Sequence, residues 1–379
     1  MLTTTHFSSA NRQQPTPLLL LSAAALCGYL WAKVRKKPPQ TAQSTPGPAG
    51  AAAELGLVPP DELDTADACA PDPRDEEIRA TVRSGDWRAG AAFLDEAGRD
   101  WQERYRRAAV LQDEAAADDA WLLAWRAARP KDAGAALVHA GALTGVAAQV
   151  HGTKPTQRPT WEQSSVFHQV MVRAREACHE AQALAGDDPC PYIAEIPCAL
   201  GLGYEPDECR ALWAEVVERD APHLAAHDAV LRYWCHKWPG SHAPAECFAR
   251  EAARQGAPGR LLSLLPLYAA FKQERADRNT DEDVYYKSPE LIAAVDVCLV
   301  DVAAAVAADP GDRRILRARH MLAWTLYWQD RYEAAVEQFR AIDGHFDADA
   351  PWSYFRDPKK YYVHCRGYSA RRVMEANGN

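Results

Sequence analysis

Prolines that recur between amphipathic helical stretches constrain the fold of this chain more than any other feature. They follow an Asp or an Ala at Asp188-Pro189, Ala221-Pro222, Ala257-Pro258, Asp309-Pro310 and Ala350-Pro351. Successive prolines are 33, 36, 52 and 41 residues apart. The residue before a proline disfavours helix, so each pair marks a break between helices. A period near 34 residues is typical of tetratricopeptide-type helical hairpins.

The clearest single unit is residues 316–342, LRARHMLAWTLYWQDRYEAAVEQFRAI. Leu322 and Ala323 occupy the positions where the tetratricopeptide motif has a leucine and a small residue. Tyr332, Ala335 and Phe339 recur every three or four residues and predict an apolar stripe on the second helix. No stretch of the body alternates with period 2, which disfavours strands. We therefore predict an all-α, tetratricopeptide-like α-solenoid of about six or seven helical hairpins.

Several further segments carry a family resemblance. They are RSGDW (83–87), AEVVERDAPHLAAH (214–227), HKWPGSH (236–242), AECFAREAA (245–253) and FRAIDGHFDADAPWSYF (339–355). With them, the chain resembles a group of uncharacterised actinobacterial proteins with tetratricopeptide-like helices and a domain of unknown function. The resemblance covers roughly residues 78–356. It implies a helical repeat fold and supplies no catalytic residues.

An uncharged apolar run, residues 18–32 (LLLLSAAALCGYLWA), precedes the basic residues of KVRKK (33–37). A fifteen-residue helix spans about 23 Å, which is short against about 30 Å of hydrocarbon. Tyr29, Trp31 and the basic flank favour a single membrane anchor with the body in the cytoplasm. Three alternatives stay open: a signal peptide, a lipoprotein cleavage site at Cys27, and a weakly ordered extension from a wrongly assigned start codon.

These patterns divide the chain into five parts. We expect a disordered N-terminus (1–15), a membrane anchor with its basic flank (16–37), a flexible Pro/Ala-rich acidic linker (38–77), the helical repeat domain (78–369) and a tail (370–379). The formal charge is +5 over residues 1–37, −8 over 38–77 and −6 over the remainder, which gives −9 in total. This acidic balance argues against a nucleic-acid partner, because phosphate binding requires a basic surface.

Four histidines predict a candidate metal site: His223, His227, His236 and His242. His223 and His227 are four residues apart, so both could ligate one ion from a single helix face. His227 also falls in the apolar stripe of its helix, which favours a hydrogen-bonded core histidine. A metal- or acid/base-dependent enzyme centred on these histidines is therefore an alternative function. The chain has no GxSxG, Walker or GxGxxG motif, and we predict no cofactor.

The ten cysteines form no CxxC pair, and several fall within amphipathic helices, where a free thiol packs as a small hydrophobe. This usage favours a reducing, cytoplasmic setting. A functional interpretation of the loop at 236–242 has Lys237 and His242 binding an acidic group at a helix N-terminus, and the structural alternative is a tight turn. The candidate partner-binding residues are Lys237, Trp238, His242, Trp328 and Trp352.

The absence of a catalytic motif and the near-34 period favour a non-catalytic protein–protein interaction scaffold. Such arrays present a concave groove to a protein or peptide partner. Tethering through residues 18–32 would place this scaffold at a membrane. The remaining alternative is a regulatory sensor whose helical body binds an intracellular signal.

Overall fold

The structure, a computed structural model, describes residues 47–64, 72–151, 161–237, 242–277, 279–346 and 351–377. Within these ranges the chain forms seventeen α-helices and no strand, so the predicted all-α class is confirmed there. An isolated parallel bridge joins Asp64 to His345. All described residues belong to one compact unit, residues 41–153 and 159–379. The second unit, residues 1–40 and 154–158, lies outside the described residues, and so does the predicted membrane anchor.

The first nine helices are α1 (Pro48–Glu54), α2 (Pro73–Arg83), α3 (Trp87–Asp95), α4 (Trp101–Ala117), α5 (Ala120–Ala128), α6 (Ala133–His151), α7 (Trp161–Ala185), α8 (Cys190–Leu202) and α9 (Pro206–Asp220). The remaining eight are α10 (Leu224–Lys237), α11 (Ala243–Gln255), α12 (Leu265–Ala276), α13 (Glu282–Tyr285), α14 (Pro289–Ala308), α15 (Arg314–Trp328), α16 (Tyr332–Ile342) and α17 (Pro358–Asn377). Short 3-10 turns occur at Leu262–Leu264 and Trp352–Tyr354.

Acidic caps and glycine turns set the ends of these helices. The carboxylates of Asp72, Asp86 and Asp100 accept backbone N–H groups in the first turns of α2, α3 and α4. Gly85 and Gly203 have φ angles of 98° and 73°, a region that a side chain disfavours, and they turn the chain after α2 and α8. Local chemistry therefore explains the short breaks between helices.

Packing follows the order of the chain. Helices close in sequence contact each other. In addition, each helix in the series α2, α4, α6, α8, α10, α12 and α14 contacts the next member of that series. From residue 82 onward the buried apolar residues form three clusters that succeed one another along the chain, and residues 51–63 join the third. The first is built around Phe93 and Trp125, the second around Leu231 and Tyr233, and the third around Trp324. Each hairpin therefore buries its apolar stripes mainly against its neighbours.

Helical structure extends beyond both predicted limits of the repeat domain. Residues 48–64 of the expected linker form α1 and an extended segment, because Ala51, Leu57 and Leu63 find an apolar surface on the last hairpins and are buried there. Helix α2 also begins five residues before the predicted boundary at residue 78. At the other end, α17 runs to Asn377 and buries Ala370 within the expected tail.

Candidate functional site

Two of the four candidate metal-ligating histidines, His223 and His227, lie in the core. The ring of His223 is fully buried, donates from Nε2 to the Trp101 carbonyl at 3.3 Å, and accepts the Ala226 N–H at Nδ1 at 3.2 Å. Both ring nitrogens are therefore occupied by backbone groups, and His223 cannot also ligate a metal. Burial lowers the pKa of His223 to about 4, so the neutral ring caps α10.

His227 is likewise a core residue. It donates from Nδ1 to the His223 carbonyl at 3.0 Å, and its ring centroid is 4.7 Å from that of Trp213. The side chain of His236 lies outside the described residues, and half-buried His242 precedes α11 as its N-cap. Across the described ranges, no group of three or more His, Cys, Asp or Glu side chains could hold a metal ion.

The predicted partner-binding tryptophans also pack inward. Trp352 is fully buried and donates from Nε1 to Nδ1 of His320 at 3.0 Å, so its side chain does not reach the surface. Trp328 is half-buried and stacks on Tyr286, with 6.4 Å between ring centroids. Trp238 and the side chain of Lys237 lie outside the described residues. Aromatic side chains bury large areas, which is why the C-terminal hairpins recruit these tryptophans.

A different feature, the cleft between α11, α12 and α14, combines volume with apolar walls. It encloses about 460 Å³, within the range of ligand and peptide-anchor sites. Alanine, proline, leucine and valine supply eight of its sixteen lining residues, and the other eight carry polar or charged groups. The lining residues are Glu246, Arg250, Ala253, Arg254, Ser263, Pro266, Ala269, Ala270, Gln273, Tyr285, Ser288, Glu290, Leu291, Ala293, Ala294 and Val297.

Helix α14 supplies the most unusual wall of this cleft. An eighteen-residue window of this helix has a mean hydropathy of 2.3, yet only 22% of that window is buried. The large side chains of Ile292, Val297 and Val300 are 37%, 56% and 68% exposed. A helix that is apolar all round is normally covered on every side. Here Val295, Cys298 and Val302 pack into the core, and the opposite apolar face meets solvent.

Length and composition alone would allow α14 and Ala133–Val150 of α6 to cross a membrane, among the described helices. Both helices contribute to hydrophobic core clusters of this chain. Helices in the core of a folded protein can be equally long and apolar, so length and composition are weak support for a membrane span.

A buried carboxylate fixes α14 against the turn before α12. Asp301 accepts the Gly259 N–H at 2.5 Å and the Ser263 hydroxyl at 2.6 Å. The turn contains Leu261 at φ 63°, a strained angle for a residue with a side chain. Adjacent to it, burial raises the pKa of the Cys298 thiol to about 12, which keeps it a neutral packing group. These contacts hold α14 to the turn at residues 259–263, and we call this junction the cleft floor.

The rim of the cleft is charged and balanced. On α11, Arg250 pairs with Glu246 at 3.2 Å and Arg254 pairs with Glu251 at 2.6 Å. Both arginines are about two-thirds exposed, so their guanidinium groups can exchange these partners for those of a ligand. Tyr285 donates to Gln273 at 3.1 Å, and burial followed by the charge of Glu246 raises its pKa. This arrangement suits apolar contact with a polar margin.

Sequence reasoning missed the cleft, although α14 carries a signal that could have indicated it. The segment PELIAAVDVCLVDVAAAVAA has apolar residues on all sides and only three acidic residues. A helix of this kind is normally buried on all sides, whereas its partner in one hairpin can bury only one of them. In comparisons with known proteins, no family model, no curated protein and no solved structure matches this chain.

Proposed function

We propose that this chain is a protein-interaction module built from tetratricopeptide-like helical hairpins, and that a helical segment of its partner binds in the cleft between α11, α12 and α14. The cleft itself carries the proposal: about 460 Å³ of apolar-walled space beside an uncovered apolar helix face. An exposed apolar surface of this kind marks an interaction site in a folded protein.

The hairpin-repeat part of the proposal draws support from the packing. A continuous series of contacts runs through α2, α4, α6, α8, α10, α12 and α14, and each hairpin adds its own share of the core. Nearest-neighbour packing of this type is the rule in repeat arrays. The sequence resemblance to tetratricopeptide-like proteins remains a prediction that agrees with it.

The geometry also indicates the class of partner. Helix α14 is about 30 Å long at 1.5 Å per residue, so a partner helix of about twenty residues could pack along its whole length. Helix-in-groove recognition uses apolar anchors at i, i+3, i+4 and i+7. The exposed Arg250 and Arg254 on α11 favour acidic residues along the flank of the partner that faces them.

Selection of peptides from a displayed random library against the full chain would test this function. We expect helical peptides with an apolar i, i+3, i+4, i+7 pattern. Their affinity should fall at least tenfold when Ala294→Trp fills the cleft or Val297→Asp charges its wall. Val217→Asp, on α9 at 39% exposure, is the matched control and should bind normally. Peptides without this pattern, or equal binding to all variants, would contradict the proposal.

A small apolar ligand is the second candidate, because the volume of the cleft also suits a single small molecule. The chain would then act as a sensor. A panel of apolar metabolites should raise the melting temperature of the wild-type chain but not of the Ala294→Trp variant. Stabilisation that survives this variant would place the ligand elsewhere.

A further inference from the structure

The segment at residues 48–64, here called the strap, lies on the last hairpins of the array. Its apolar side chains Ala51, Ala52, Leu57 and Leu63 are at most 7% exposed, and they join the same cluster as Phe339. Other strap positions, including Glu54, Asp61 and Glu62, remain exposed. One side of a short linear segment is therefore bound as a peptide ligand would be.

Close backbone approach fixes the strap at its two ends. At Gly367 of α17, an added Cβ would lie 3.0 Å from Pro48, so the missing side chain makes room for α1. At the other end, the Asp64 N–H donates to the Gly344 carbonyl at 3.0 Å, and the Phe346 N–H donates to the Asp64 carbonyl at 2.8 Å. Between them, Arg340 donates to the Leu55 carbonyl at 2.9 Å.

These contacts resemble peptide recognition more than the burial of a core helix. The hydrogen bonds named above reach the strap through its backbone groups, and its buried apolar side chains provide the selectivity, as in peptide-recognition complexes. Helix α1 has seven residues, too few to be stable in water without the surface beneath it. In the apolar cluster that α1 joins, Phe339, Trp352 and Tyr362 already pack on one another, so the C-terminal hairpins have a core of their own.

We propose that the face formed by α16 and α17 is a docking surface for a linear segment of the pattern Ala-Ala-x4-Leu-x5-Leu, and that the strap occupies it reversibly in cis. The chain is then autoinhibited at this face, and a protein segment with the same pattern gains access when the strap leaves. None of the strap residues lines the cleft described above, so this proposal does not depend on that one.

A peptide-binding experiment on the full chain tests the proposal. Leu57→Asp with Leu63→Asp should release the strap, because each charge would otherwise be buried. A labelled peptide of residues 47–64 should then bind at least tenfold more tightly than to the wild-type chain, whose face is occupied. Glu54→Gln with Glu62→Gln, at exposed strap positions, should bind the peptide as weakly as wild type does.

Location and specificity have their own controls. Gly367→Val in the released chain should weaken peptide binding at least tenfold, since its side chain would collide with Pro48 of the peptide. A peptide that carries the two Leu→Asp changes should not bind. The proposal is overturned if the released chain fails to bind the wild-type peptide, or if Gly367→Val leaves binding unchanged.

Hydrogen exchange on the wild-type chain provides an independent measurement if the released variant does not fold. Amides of residues 51–64 should exchange at least tenfold faster than the buried amides of α15, because the strap opens without unfolding the hairpins. Equal exchange rates in the two segments would show that the strap is an inseparable part of the core, and would overturn the proposal.

Discussion

Two buried histidines make the stability of this fold depend on pH. His223 and His320 are fully buried and neutral, with pKa values lowered by burial to about 4 and about 3. Their ordinary value is 6.5. The unfolded chain therefore binds more protons than the folded chain once the pH falls below 6.5, and stability is lost in that direction.

We expect the free energy of unfolding to fall by about 2 kcal/mol per histidine between pH 7 and pH 5, at about 1.4 kcal/mol per pH unit. Urea denaturation at the two pH values measures this. His223→Asn, which preserves a capping side chain, should reduce the pH dependence, and exposed His168→Asn should not. An unchanged slope in the His223 variant would contradict the assignment.

Two aspartates on α14 provide a second comparison at this scale. Asp301→Ala removes the acceptor of the Gly259 and Ser263 groups and should cost about 2–4 kcal/mol. Asp296 pairs with Arg331 at 2.7 Å but is 56% exposed, so Asp296→Ala should cost under about 1 kcal/mol. Chemical denaturation of both variants decides whether Asp301 holds the cleft floor.

In the single element α14, helix formation and the burial of each helix face have different causes. Its composition predicts a helix without ambiguity, because Ala, Leu and Glu are strong helix formers and Ser288 caps its first turn. Composition does not predict which of its apolar sides is covered. The contacts with α12 and α15 bury one side and leave the other as a cleft wall.

Charge substitutions on the two sides of α14 should therefore differ sharply. Val300→Asp, at 68% exposure, should change the free energy of unfolding by under about 0.5 kcal/mol. Val302→Asp, at 3% exposure, should cost about 3 kcal/mol or more, because it buries an unpaired charge. Comparable destabilisation by both variants would mean that the outer face is covered in the free chain.

For the whole molecule, the succession of three core clusters makes stability a local property. Tyr105 and Leu224 contact two clusters each and link them. Because helices here pack mainly on helices close to them in sequence, damage to one cluster should be felt mainly by the helices that share it.

Phe339→Ala should destabilise the C-terminal hairpins by about 3–5 kcal/mol. Hydrogen exchange should accelerate in α15 to α17 and remain unchanged in α3 to α6. Phe93→Ala, in the first cluster, should give the reverse pattern. Uniform acceleration across the chain in both variants would show a single cooperative core instead.

Local patterns in the sequence determined the fold class and the breaks between helices. Period-3.6 stripes and Asp, Pro and Gly at helix ends act within a few residues, so the hairpin of Tyr332 and Phe339 could be predicted from sequence. The apolar stripe of α10 likewise indicated that His227 is a core residue, and it is buried.

Tertiary structure alone decided which apolar and polar groups are covered. Trp352 is buried because α15, α16 and α17 converge on it. Ala51 and Leu57 are buried because a surface nearly 300 residues away in sequence receives them. Val297 is exposed because none of the described helices covers it. Burial depends on distant neighbours, whereas helix formation depends on near ones. Spacing alone therefore made His223 a candidate ligand, although both of its ring nitrogens bond to backbone groups, and the cleft was not anticipated.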